Sequence, residues 1–238
     1  MIGVRWIVGE LPSLSERLLA KAASVNRPDE AKKAINDALA ELEREGVAPG
    51  LRLGETAPDF TLPNAVGDPV RLADRLAAGP VVLTFYRGTW CPYCNIELHA
   101  YQEALPAFRA EGAQIVAVSP QAPDDSLDMR DKHGLEFDVL SDLDQDVLTS
   151  YKVRFVFPAA ALPYLLDGTA KALAKQQPDG DWSLPVPATF VLDPDGVVRA
   201  RHATMAYRTR MEPAEALRVV REINEARRDG ARQDEARR

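Results

Sequence analysis

The sequence predicts an α/β protein with a central mixed sheet flanked by helices and a helical extension at its N-terminus. Three observations carry this. Residues 81–87 (VVLTFYR) and 113–119 (AQIVAVS) are continuous apolar runs rich in β-branched and aromatic residues, as expected of strands buried on both faces. From residue 81 onward, strand-like and helix-like segments alternate, which is the rhythm of parallel crossovers. Residues 188–202 (ATFVLDPDGVVRARH) read as strand, Asp-Pro-Asp-Gly turn and strand, a hairpin.

Residues 13–46 read as two helices. Ser15 is the expected cap of the first, which carries Leu18, Leu19 and Ala22. Pro28 and Asp29 restart a second, with Ala31, Ile35, Ala38, Leu39 and Leu42 at helical spacing, and Gly46 ends it. This stretch has too little apolar content to stand alone. It is expected to pack on the main domain or on another copy of the chain, which makes a homodimer one expectation. Two short extended runs flank a turn at residues 64–69, and a short helix follows. A helix is expected from Pro92 to about Glu111, with Pro106 as its kink. Further helices are expected at 124–133 and 144–151, with a strand at 137–141 between them. Residues 155–185 break the rhythm with several prolines and read as an insertion near the active site. Residues 212–225 form the closing helix. The expected organisation is an extension over 1–50, a main domain over 51–225 and a charged, disordered tail over 226–238.

The totals bound the function. The chain of 238 residues suffices for one filled α/β domain plus additions. Its net charge of −7 argues against a general nucleic-acid binder, which must neutralise phosphates. No apolar run approaches the roughly 20 residues needed to cross a bilayer, so no membrane partner is expected. Residues 2–8 are apolar, but Gly3 and Arg5 interrupt them and no cleavage pattern follows. The expected location is the cytoplasm, where a structural disulfide is disfavoured.

The chemistry concentrates at Thr89-Trp90-Cys91-Pro92-Tyr93-Cys94, placed directly after a buried strand and at a helix start. A helix N-terminus offers unpaired N–H donors and the positive end of the dipole, and both favour a thiolate. Pro92 suits the first turn because its missing N–H has no partner there. The spacing of three puts Cys94 beside Cys91, within reach of a mixed disulfide or sulfenate on its neighbour. A zinc site would need about four ligands, and His99, His133 and His202 are scattered. Inert buried thiols are the remaining bland reading. No metal or other cofactor is expected.

With these motifs in hand, the chain resembles the peroxiredoxin-like alkyl hydroperoxide reductase/thiol-specific antioxidant family of the thioredoxin superfamily, as a Cys-x-x-Cys variant. The resemblance spans roughly residues 53–222. It rests on GETAPDFTLPNAVGDPVRLADRL, VVLTFYRGTWCPYCNIEL, LSDLDQDVLTSYKV and PATFVLDPDGVVR. It implies a thioredoxin-like fold. Aligned from Tyr86, the family's peroxidatic position falls on Cys94 and its glutamate on Glu97, while Cys91 takes the threonine position and Arg87 the proline position. Thioredoxin-type chemistry instead makes Cys91 the attacking thiol and Cys94 the resolving one. The resemblance also implies a cis-proline, for which Pro187 after Val186 fills the slot. The family arginine that normally precedes the Thr-Phe strand is missing, because that stretch is Pro187-Ala188. Phe85 stands where thioredoxins carry a buried acid. Glu97 is then the candidate for proton transfer, Arg87 for a replacement positive charge, and Trp90 and Tyr93 for shaping the entrance.

The function this implies is a thiol-dependent peroxidase acting on a hydroperoxide substrate through a Cys91/Cys94 dithiol–disulfide cycle, with a thioredoxin-type reductant as partner. A protein disulfide oxidoreductase and a non-catalytic redox sensor are the alternatives.

Overall fold

The computed structural model describes residues 13–123, 125–126, 130–131, 134–165 and 182–237. Helix α1 (Leu14–Ser24) opens on a capping box. The Ser13 hydroxyl accepts from the Glu16 amide, and the Glu16 carboxylate takes the Ser13 amide. The cap is therefore Ser13 and not Ser15. A box on Ser15 would need an acceptor at residue 18, which is Leu18, a core residue. Ser15 instead donates its amide and hydroxyl to Glu212. Helix α2 (Asp29–Arg44) starts after Pro28, whose ring cannot continue a preceding helix.

Strands β1 (Thr61–Pro63) and β2 (Pro69–Arg71) form a small hairpin that leads into α3 (Leu72–Ala78). The main sheet contains β3 (Val81–Phe85), β4 (Gln114–Ser119), β5 (Asp138–Ser141), β8 (Ala188–Leu192) and β9 (Val198–Ala203). Its spatial order is β5-β4-β3-β8-β9. Pairs β3–β4 and β4–β5 are parallel, whereas β3–β8 and β8–β9 are antiparallel, so the sheet is mixed. Between its parallel and antiparallel halves lies β3, with every residue buried, as its unbroken apolar run requires. Helix α4 (Pro92–Ala110) joins β3 to β4 and contains Pro106. Helix α5 (Asp146–Ser150) follows β5. A two-stranded ribbon pairs β6 (Arg154–Val156) with β7 (Ser183–Pro185), and a 3-10 turn occupies Ala159–Tyr164. The last helix is α6 (Pro213–Ala236).

Alternation along β3 divides the core. Val82 faces a cluster with Leu98, Tyr101 and Phe108 of α4 and Val220 of α6. Leu83 and Phe85 face Leu72, Tyr151 and Phe190 on the other side. Leu14 and Leu18 bring α1 onto the α4 cluster. Ile35 and Leu39 bring α2 onto a third cluster with Phe155, Leu184, Val186 and Met205. Helix α1 therefore packs along α4, with Arg17 paired to Glu103, and α2 packs on the β6–β7 ribbon and Met205.

One expectation gives way. The tail from residue 226 is helical, because α6 runs on to Ala236. Its low apolar content removes any reason to be buried, but Ala, Arg, Gln and Glu extend a helix already nucleated upstream at no new nucleation cost. The helix expected at 124–133 and the middle of the 155–185 insertion fall partly outside the described residues. Among the described residues, no helix is long and apolar enough to cross a membrane.

Candidate active site

The site begins where β3 ends. Gln121 pins the loop that follows: its Oε1 accepts from the Thr89 amide at 2.7 Å, and its Nε2 donates to Thr89 Oγ1 at 3.0 Å. Asn95 Nδ2 donates to the Thr89 carbonyl at 3.0 Å. Thr89 is thus held from both sides. This fixes the entry into α4, where Cys91 is the N-cap and Pro92 the first helical residue. Both cysteines are free and buried, Cys91 at 2% exposure and Cys94 at 0%.

The two sulfurs compete for one negative charge. Arg87 N donates to Cys94 Sγ at 3.5 Å and Arg210 Nη2 at 3.7 Å, which favours an anion on Cys94. Burial opposes this more strongly and pushes the Cys94 thiol well above its ordinary range. A hydrogen bond from the Cys94 thiol brings Cys91 down to about 6. Burial resists that shift, while the charges of Arg87 and Arg210 assist it. The arrangement is a thiolate at Cys91 and a protonated thiol at Cys94. Cys91 alkylation by iodoacetamide is therefore expected to rise with a midpoint near pH 6, whereas the midpoint of an ordinary thiol lies near about 8.5. Alkylation kinetics read by intact mass will check this, and a midpoint above 8 contradicts it.

Behind the cysteines lies a sealed ion pair. Arg210 Nε donates to Glu97 Oε2 at 2.7 Å, with the two side chains 1% and 0% exposed. Burial lifts the Glu97 carboxyl to about 7, although Arg210 holds it down. Thr189 Oγ1 donates to Glu97 Oε1 at 3.4 Å and lies 3.2 Å from Thr84 Oγ1, so β3 and β8 both support the acid. Arg210 is fixed in turn by the carbonyls of Thr209, at 2.7 Å, and Tyr207. The stretch ahead of β8 carries no arginine, as the sequence indicates, but Arg210 brings a buried guanidinium to the site from elsewhere in the chain. The guanidinium arrives from the loop between β9 and α6, which follows the hairpin in sequence and starts where Ala203 pairs with Ala188, next to Pro187. No local sequence pattern marks it, since its partner Glu97 is 113 positions away.

Arg87 sits between two rings, 5.0 Å from the Trp90 centroid and 4.9 Å from that of Tyr207. Tyr207 also meets Tyr93 edge-on at 5.6 Å, so Trp90 and Tyr93 form a wall with a residue that the sequence did not single out. Pro187 lines a small cavity with Arg87, Tyr207 and Leu39. It is not cis: among the described residues there is no cis peptide bond. The chain runs extended from β7 through Val186, whose amide donates to the Val153 carbonyl at 2.7 Å, and on into β8. That path needs no reversal, and the trans form is favoured by about 0.5–1 kcal/mol.

A buried Cys-x-x-Cys capping a helix, at the end of the strand between the parallel and antiparallel halves of a mixed sheet, defines a thioredoxin-fold dithiol protein. More narrowly, the chain belongs to the AhpC/TSA family, whose sequence pattern matches residues 53–201. A protein of Mycobacterium tuberculosis named as a peroxiredoxin is 38% identical over 98 residues, covering 41% of this chain. The chain spans 62% of that relative's length. Peroxiredoxin Q of Sedum lineare is 28% identical, covering 73% of this chain and 78% of the relative. The thiol-disulfide oxidoreductase ResA of Geobacillus kaustophilus is 30% identical, covering 62% and 67%. Among solved structures, peroxidoxin BcpB of M. tuberculosis superposes with a TM-score of 0.56 at 25% identity, covering 73% of this chain and 98% of that one. Helices α1 and α2 and the Arg210 loop lie outside residues 53–201, which the family pattern matches.

Proposed function

We propose that the chain is a thiol-dependent peroxidase. The Cys91 thiolate attacks the terminal oxygen of a hydroperoxide and the O–O bond breaks. Sulfur is oxidised to a sulfenic acid, and the alkoxide leaves and takes a proton as the alcohol. Cys94 then attacks the Cys91 sulfur. Its proton passes to the Glu97 carboxylate, which titrates near operating pH, and Glu97 hands it on to the departing hydroxide, so that water leaves. The product is the Cys91–Cys94 disulfide. A thioredoxin-type donor restores the dithiol by exchange, in a reducing compartment that we take to be the cytoplasm.

The observation that carries this reading is the pairing of a low-pKa Cys91 with a protonated Cys94, backed by the sealed Arg210–Glu97 pair. The protein disulfide reductase reading is disfavoured by one contact. An extended substrate chain beside the cysteines needs free backbone donors, and the Val186 amide is already given to Val153. Peroxide consumption coupled to a dithiol donor, run beside reduction of a protein disulfide, tests the assignment. We expect turnover of the peroxide at least tenfold faster, roughly, than of the protein disulfide. The reverse order supports the reductase, and oxidation without turnover supports a sensor.

A further inference from the structure

Arg87 is 6% exposed, yet its Nε has no hydrogen-bond acceptor among the described residues. Its neighbours are the Trp90 and Tyr207 rings, which offset burial of a cation only in part. The other buried cation of the site, Arg210, is matched by Glu97. A cavity of about 10 Å³ touches Arg87, lined by Leu39, Phe155, Val186, Pro187, Met205 and Tyr207. That is room for roughly one oxygen-sized group. Leu39, Met205 and Tyr207 also line an adjoining groove of about 220 Å³, bordered by Ala40 of α2 and by Glu43 and Arg208, of which Glu43 accepts from the Thr204 hydroxyl and Arg208 donates to the Tyr207 hydroxyl. Neither cavity is lined by a cysteine, and Arg87, whose charge acts on Cys91, is what links them to the dithiol.

We propose that Arg87 and this groove form a carboxylate subsite: the small redox substrate that meets Cys91 carries a carboxylate, held by Arg87, on an apolar body lying between α2 and the β9–α6 loop. The proposal rests on the dithiol redox reading and deepens it. A guanidinium is the side chain suited to a carboxylate, and burial makes an unmatched cation seek an anion more than a neutral acceptor. In the dithiol form the Cys91 thiolate partly fills that need. In the disulfide form it carries no charge, so a carboxylate binds the oxidised protein better. Two substrates have this chemistry. One is a carboxylate-bearing hydroperoxide, which oxidises Cys91 and departs as the alcohol. The other is a carboxylate-bearing thiol, two of which reduce the disulfide and leave as their own disulfide.

Calorimetric binding of octanoate and octanol to the disulfide form tests the subsite. We expect octanoate to bind at least about tenfold more tightly. Arg87→Gln is expected to erase this preference, and Arg87→Lys to keep part of it. Ala40→Trp, an exposed position whose new ring fills the groove, is expected to weaken both ligands. Equal binding by the wild-type protein overturns the proposal, as does a preference that survives Arg87→Gln. Comparing kcat/KM for a carboxylate-bearing hydroperoxide and its methyl ester, and for an acidic thiol and its ester, identifies which substrate carries the group. A retained octanoate preference without turnover of any substrate leaves the subsite standing and removes the redox reading. Turnover without that preference removes the subsite alone.

Discussion

Cys91→Ser is expected to abolish peroxide turnover, a loss of at least roughly 10³-fold, because the pKa is lowered at the Cys91 thiol and raised at Cys94, which leaves no thiolate to attack. Cys94→Ser is expected to behave differently. Without Cys94 the sulfenic acid on Cys91 has no resolving thiol, so one equivalent of peroxide is consumed and the cycle stops. A serine hydroxyl keeps a donor beside Cys91, whereas Cys94→Ala removes it, so Cys94→Ala is expected to raise the Cys91 pKa and to slow that single oxidation at pH 6 more than at pH 8. Rapid-mixing measurements at both pH values separate the variants. Multiple turnovers by Cys91→Ser would place the nucleophile on Cys94.

Arg210→Met carries the largest expected cost in stability. It leaves Glu97, with no exposure, without a counter-ion in an apolar interior. Removing one member of a buried pair typically costs about 3–5 kcal/mol. That is a large share of the roughly 5–15 kcal/mol by which such a domain is stable. Glu97 partly escapes the cost by protonating, since its carboxyl already titrates near 7. The loss is therefore expected to be smaller at pH 5 than at pH 8. The double variant Arg210→Met/Glu97→Leu is expected to regain most of the stability but not the activity, because Arg210 also supports the charge on Cys91. Denaturant unfolding and peroxide kinetics on the single and double variants check both halves. A single-variant loss below about 1 kcal/mol would mean that the pair is not the brace it looks to be.

The sequence is most legible where the signal is local. The apolar run at 81–87, the helix opening on Pro92 and the Asp-Pro-Asp-Gly hairpin each declare themselves within a dozen residues, and the chain folds there as expected. Residues that act at a distance are not legible. Glu97 lies one turn past Cys94 and could equally face solvent, and only the approach of β8 and the Arg210 loop shows it sealed. Arg210 lies in a polar, Thr- and Arg-rich stretch that reads as surface. Tyr207 lies in the same stretch. The cis expectation at Pro187 came from analogy, and the β6–β7 ribbon, invisible in sequence, straightens that path. The cap moved from Ser15 to Ser13 because Glu16 completes a box with only one of them.

Helices α1 and α2 tie into the site more closely than an added segment need do. Glu212 accepts from the amides of Leu14 and Ser15, and it lies two residues from Arg210. The end of α1 and the loop that presents the buried guanidinium are therefore anchored to one carboxylate. Tyr101 of α4 adds a second anchor, its hydroxyl donating to the Met211 carbonyl at 3.2 Å.

The central claim is that Cys91 attacks and Cys94 resolves. Trapping sulfenic acid on the two single-serine variants after one equivalent of hydroperoxide tests it most directly, with the modified residue located by peptide mass. The adduct is predicted on Cys91 in the Cys94→Ser protein, and none on Cys94 in the Cys91→Ser protein. An adduct on Cys94 in Cys91→Ser, with none on Cys91 in Cys94→Ser, would contradict the account.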